Sequence, residues 1–121
     1  MKVLIADDDA DVADSLAVLM RVVLDADVCV VYDGESALAR AGDYRPDAVV
    51  LDINMPRMDG IQTARRLKAD RRLEHKPFIA HTAAAADPLV KKIAKRAGFE
   101  HVIRKGDARS MTALIDLLAE V

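Results

Sequence analysis

The sequence has a single cysteine, Cys29, so no internal disulfide can staple the fold, and a reducing compartment suits it. Cys29 stands in the apolar run VCVVY, where it is expected to pack as a small hydrophobe. No apolar stretch approaches the roughly 18 residues that a bilayer span needs. The amino terminus passes from Met1 and Lys2 straight into a strand-like segment, without the layout of a signal peptide. A cytoplasmic location without membrane insertion is therefore expected. Neither sign of charge dominates: 18 basic against 20 acidic residues leave a formal net charge of -2, which argues against a dedicated polyanion binder. The adjacent Arg104 and Lys105 make no nucleic-acid footprint, so no direct nucleic-acid contact is expected. With 52% hydrophobic and 31% charged residues the chain does not read as disordered. No linker or internal repeat divides its 121 residues, a length that buries one core but not two. One domain over residues 1–121 is expected.

Short apolar runs alternate with longer amphipathic stretches from end to end, the pattern of strand and helix units built around a parallel sheet. Five strands are expected, at residues 3–6, 28–31, 48–51, 78–80 and 102–103; several are β-branched and nearly all are free of charge. After the first strand, Val12, Leu16, Leu19 and Val23 recur at helical spacing and predict the inward stripe of a first helix. Asp33 precedes a second helix. Asp59 with Gln62 forms a capping box for a third, which carries Ile61, Ala64 and Leu67 inward. Asp87 followed by Pro88 reads as the start of a fourth helix and Gly98 as its stop. Met111, Leu114, Ile115 and Leu118 stripe the fifth. The residue before a proline is pushed away from helical dihedrals, so residues 82–87 are expected to form a loop, made sterically light by four alanines.

Asp7, Asp8 and Asp9 follow the first strand and Asp52 follows the third, where parallel strands deliver side chains to the carboxyl edge of a sheet. Two like charges about 4 Å apart repel by roughly 4 kcal/mol at an effective dielectric of 20, so converging acids call for a cation. All-oxygen ligation suits Mg2+, with Mn2+ or Ca2+ able to substitute. A helix N-terminus also favours a run of acids, one of them capping. Lys105 ends the fifth strand near the same edge and can pair with a carboxylate or a phosphoryl oxygen. Thr82 follows the fourth strand and offers a hydroxyl to a phosphate or to local backbone. Each residue alone has an ordinary structural explanation; the combination at four strand ends is the signal.

These residues resemble the receiver domains of two-component response regulators along essentially the whole chain. VLIADDD is similar to that family's acidic motif, VVLDINMPRMDG to its phosphoacceptor segment, HTA to its hydroxyl position and IRK to its lysine position. The resemblance implies a flavodoxin-like α/β fold, with a five-stranded parallel sheet in the order 2-1-3-4-5 and five helices on both faces. It implies Asp52 as nucleophile and phosphoacceptor, and Asp8 with Asp52 as direct metal carboxylates. Asp7 becomes a supporting acid acting through water, and Asn54 lends its backbone carbonyl to the metal. Thr82, the backbone at Ala83, and Lys105 become contacts of the phosphoryl oxygens. The implied partners are a histidine kinase or histidine phosphotransfer protein and a downstream protein target, with the receiver a monomer or weak dimer. Such a domain is not a turnover enzyme; it undergoes Mg2+-dependent self-phosphorylation and slow autodephosphorylation.

Two positions depart from the family pattern. Gly106 stands where proline usually follows the lysine, giving the loop more conformational freedom, and Val102 stands where an aromatic ring commonly rotates on switching. The departures leave open output through the fourth helix and its loops, a relay without strong readout, or a phosphorylation-independent interaction module. Asp7 and Asp9 also give a superficial phosphohydrolase-like Asp-x-Asp pair, but Asp11 is not the Thr or Val that such enzymes carry, and there is no room for a cap domain. His81 adjoins Thr82 and offers a gate on access to Asp52, but a lone histidine at a strand end is more often simply partly exposed, which is the expectation here. Met55 and Met58 offer either an adaptable docking surface or plain packing. A sequence ending directly after its fifth helix is expected to be a stand-alone receiver.

Overall fold

Alternation decides this architecture, because the inner strands must bury both of their faces. The computed structural model describes residues 1–121 as five β/α units. In chain order these are β1 (Lys2–Ala6), α1 (Ala10–Leu24), β2 (Asp27–Val31), α2 (Gly34–Tyr44), β3 (Ala48–Leu51), α3 (Gly60–Lys68), β4 (Phe78–Thr82), α4 (Pro88–Ala97), β5 (His101–Arg104) and α5 (Ala108–Ala119). The strands are all parallel, in the order β2-β1-β3-β4-β5. This is the expected order. On one face Leu4, Val49, Leu51, Phe78 and Ala80 pack under small residues of α2, α3 and α4. On the other Val3, Ile5, Val50 and Ile79 meet α1 and α5 through Leu16, Met20, Leu114 and Leu118. Burying each such side chain contributes about 1.5–3 kcal/mol, so the two clusters dominate the stability of the domain.

The strands run slightly longer than their apolar runs. Most consequentially, β4 continues through His81 and Thr82, two residues that carry no hydrophobic signal. The loop that follows spans residues 83–86, and Asp87 N–H donates to the Ala84 carbonyl at 3.0 Å, closing a turn. Cys29 is buried and free, as expected.

The α1 stripe requires correction. Leu16 is buried, but Val12 and Leu19 are only half-buried and Val23 is 56% exposed. The buried residues are Ala13, Leu16, Ala17 and Met20. The helix is apolar on most of its circumference, and two alanines allow a closer approach to the sheet than valines would. It therefore turns that face inward and leaves Val18, Val22 and Val23 in solvent.

All five helices start at an aspartate. Asp9, Asp33, Asp59, Asp87 and Asp107 each accept a backbone N–H of the first turn, and Gln62 returns the bond to Asp59 to complete the capping box. Each cap contributes about 0.5–2 kcal/mol. Gly98, at φ +103, ends α4 in the left-handed region that glycine enters without strain.

Candidate functional site

The hydrogen-bond ladder continues one residue past three strand ends. Asp7 N–H donates to Val31, Asp52 N–H to Ala6 and Lys105 N–H to Thr82, at 2.9–3.2 Å. Alternation therefore carries through these residues. Asp7 shares the side of Val3 and Ile5, Asp52 that of Ala48 and Val50, and Lys105 that of Ile103, all toward α1 and α5. Three chemically reactive side chains converge because each follows its strand by one step.

The convergence is tight. Lys105 Nζ donates to Asp52 Oδ2 at 2.7 Å and to Asp7 Oδ1 at 2.9 Å, and lies 2.8 Å from Asp7 Oδ2. Both carboxylates are nearly inaccessible, Asp7 at 2% and Asp52 at 4% exposure. Each also accepts one backbone donor: Asp9 N–H donates to Asp7 Oδ1 at 2.9 Å, and Asn54 N–H to Asp52 Oδ1 at 3.1 Å. Lys105 is thus no ordinary surface lysine; its side chain is 14% exposed and bridges two strand ends.

Of the three consecutive acids, only Asp9 is spent on capping α1. Asp7 turns inward, and Asp8 stays exposed with its carboxylate free of protein hydrogen bonds. Carboxylate oxygens of Asp7, Asp8 and Asp52 lie within 4.8 Å of one another. Three acids against one ammonium leave two negative charges uncompensated, and the donors are hard oxygens open to solvent at Asp8. This is an acidic pocket fit for a divalent cation.

The electrostatics follow from burial. Desolvation holds the Asp52 carboxyl above the usual carboxylate range; the Lys105 hydrogen bond opposes that rise, while the charge of Asp7 adds to it. Burial alone would depress the Lys105 ammonium, but its bonds to Asp52 and Asp7 outweigh the effect and raise its pKa.

Thr82 is fully buried at the end of β4, and its Oγ1 accepts Ala84 N–H at 3.2 Å. That bond leaves the hydroxyl proton free to donate elsewhere. Ala83 and Asn54 are exposed on their loops. One expectation fails here, and the methionine alternatives resolve. His81 is 3% exposed rather than partly exposed, because β4 extends past it, and burial with the nearby Lys105 charge pushes its pKa down to about 4. Met55 is 7% exposed and packs in the core between sheet and helices, so it is not free for docking; Met58 is half-buried.

Gly60 belongs to the site although no chemical group announces it. A Cβ there would overlap the Asp52 carbonyl oxygen and stand 2.7 Å from Ile53 Cα. Its N–H donates to Ile53 at 2.8 Å, so the bare backbone seats the start of α3 against the Asp52 loop. The Asp59-Gly60 pair is the only sequence trace of this close approach.

A five-stranded parallel sheet with an acid pair and a bridging lysine at its carboxyl edge defines a class of phosphorylation-controlled α/β domains. A family profile described as the response regulator receiver domain matches residues 3–116, and the chain belongs to that family. Among curated relatives, the transcriptional regulatory protein PrrA of Mycobacterium tuberculosis is 46% identical over 68 residues, covering 56% of this chain and 29% of that protein. The DNA-binding response regulator MtrA of the same organism is 41% identical over 69 residues, covering 57% and 30%. The matches thus span less than a third of the length of these relatives. Among solved structures, the chemotaxis protein CheY4 of Vibrio cholerae superposes with a TM-score of 0.90 at 25% identity, covering 99% of this chain and 97% of that one. No helix is long and apolar enough to cross a membrane.

Proposed function

We propose that Asp52 accepts a phosphoryl group from a histidine kinase or a histidine phosphotransfer protein, and that the domain signals through the resulting change at its surface. The observation that carries this reading is the Lys105 ammonium, held 2.7 Å from a nearly inaccessible Asp52 carboxylate by a second anchor on Asp7. An Asp52 oxygen forms the bond to phosphorus, the phosphorus–nitrogen bond of the donor histidine breaks, and the departing imidazole takes a proton. Little of this needs acid–base chemistry from the protein; positioning and charge neutralisation supply the catalysis.

Lys105 neutralises charge on the transferred group, the free hydroxyl proton of Thr82 donates to a phosphoryl oxygen, and the Ala83 backbone N–H is a further donor. Asp8, Asp52 and the Asn54 carbonyl would hold Mg2+, with Asp7 acting through water and Mn2+ or Ca2+ able to substitute. When bound, the cation offsets negative charge on the phosphoryl oxygens. The domain turns over no substrate; it accepts a phosphoryl group and slowly loses it.

Phosphorylation adds about 1.5–2 negative charges, and these draw on Thr82 and Lys105. Val102 is half-buried against the α2–α4 side of the core and has no ring to rotate. Output to a protein partner therefore passes through residues 83–86 and α4. Intact-mass spectrometry after incubation with acetyl phosphate and Mg2+ tests the reading. One phosphoryl adduct is expected on the parent and none on Asp52→Asn; an adduct on both, or on neither, would overturn it.

A further inference from the structure

The sheet register places His81 beside the acceptor. Ala6 pairs with Leu51 and Leu51 with Ala80. Advanced by one residue, these registers set Asp7, Asp52 and His81 in one cross-strand row, and alternation turns all three side chains to the α1/α5 face. His81 in turn pairs with Ile103, two residues before Lys105 on the same face. Because β4 lies between β5 and β3, the Lys105 side chain must cross β4 to reach Asp52 and Asp7. Strands are about 4.8 Å apart, so roughly 9.6 Å separates β5 from β3, and the extended lysine and the Asp52 side chain span it together. The side chain beneath that path is His81.

His81 is 3% exposed, and neither ring nitrogen is sealed from solvent without a partner. It lines a groove of about 470 Å³ between the starts of α1 and α5, with Val12, Ser15 and Met111. On the side beyond Lys105, Gly106 contributes no side chain, and a Cβ built there would meet nothing within 4 Å. Gly106 therefore gives the Lys105 stem no brace on that side.

We infer that His81 is a positioning residue for the phosphorylation proposed above, its ring forming the bed across β4 that holds Lys105 extended onto Asp52 and Asp7. The inference rests on Asp52 as acceptor, but its test separates the two. His81→Ala and His81→Phe are compared with the parent, with His81→Val, suited to a strand, replacing alanine if that variant does not fold by thermal unfolding. The rate of adduct formation is measured at saturating acetyl phosphate and across a Mg2+ series. Labelling of Lys105 by an amine-reactive ester is measured by peptide mass spectrometry against exposed Lys91.

The small-residue variant is expected to phosphorylate roughly tenfold more slowly, short of the ~100-fold that a 1 Å misplacement can cost. Its half-saturating Mg2+ is expected to stay at the parental value, and Lys105 labels faster. His81→Phe restores both rate and protection. Parental rate and parental labelling in the small variant would overturn the inference, as would a phenylalanine variant as slow as alanine. If the parent itself takes no phosphoryl group, the acceptor reading fails, and the labelling comparison alone decides whether His81 holds Lys105.

Discussion

Replacing Lys105 with methionine keeps the length of the stem and removes only the charge, which makes it a direct test of how the acid pair is held. Asp7 and Asp52 would then face each other with oxygens within 4.8 Å and almost no access to water. At an effective dielectric of 20, two charges at that distance repel by about 3.5 kcal/mol. The fold can escape by protonating one acid, but holding a carboxyl of ordinary pKa near 3.9 protonated at pH 7 costs about 4 kcal/mol. Both routes give a loss of about 3–4 kcal/mol at pH 7, within the range for breaking a buried pair from one side. Against a typical domain stability of about 5–15 kcal/mol, this is easily measured by urea denaturation.

The pH dependence carries a definite sign. Asp52 already sits above its unfolded pKa, and loss of the ammonium removes the interaction that lowers it. A raised carboxyl contributes stability that is present below the unfolded pKa and lost as pH rises through the folded value. The deficit of Lys105→Met should therefore shrink toward pH 4 and be largest at neutral pH. Mg2+ at about 100 times its Kd adds roughly 2.7 kcal/mol by mass action, and more to the variant than to the parent if it binds the variant more tightly. A deficit that is equal at pH 4 and pH 7, or below about 1 kcal/mol throughout, would refute the view that Lys105 is held by charge.

His81 titrates in the opposite sense. With its pKa near 4 in the fold against 6.5 unfolded, its stabilising contribution is complete above pH 6.5 and is lost as pH falls toward 4, by about 3 kcal/mol at most. His81→Phe should flatten the stability profile across that window in urea titrations; an unchanged profile would show that the imidazole is solvated after all. Gly60→Ala forces a methyl into the Asp52 and Ile53 backbone, which cannot yield as a flexible side chain would. It should lose about 1–3 kcal/mol in the same assay and slow phosphorylation of Asp52 by acetyl phosphate. Unchanged stability would mean that the start of α3 moves freely.

What was legible in the sequence depended on whether one residue's chemistry sufficed to fix its place. Asp33, Asp59 and Asp87 were readable as caps because an aspartate before a helical stretch has a local job, and the structure gives them that job. The five strands were readable because their apolar runs are short and uncharged. The α1 face was not, because valines and leucines surround most of the helix and the deciding residues were two alanines that score weakly as hydrophobic. Nor was His81, since a strand that ends in histidine and threonine looks like the beginning of a loop. Division of labour among Asp7, Asp8 and Asp9 was equally hidden from spacing, and only the family resemblance told them apart, because three identical residues differ only in the direction each side chain leaves the chain.

The candidate site stands between these cases. That acids, a hydroxyl and a lysine fall at strand ends can be seen from spacing, but their convergence depends on strand order and parity together. Asp7, Asp52, His81 and Lys105 lie on strands separated by whole helices in the sequence, and they share a face only because each stands an even number of residues from a buried partner on the α1/α5 side. A one-residue shift in β4 would turn His81 toward α4 and place Thr82 beside Asp52 instead. Parity within the sheet is therefore what assigns the hydroxyl and the imidazole to different faces, leaving the lysine to reach the acceptor across the flat imidazole of His81.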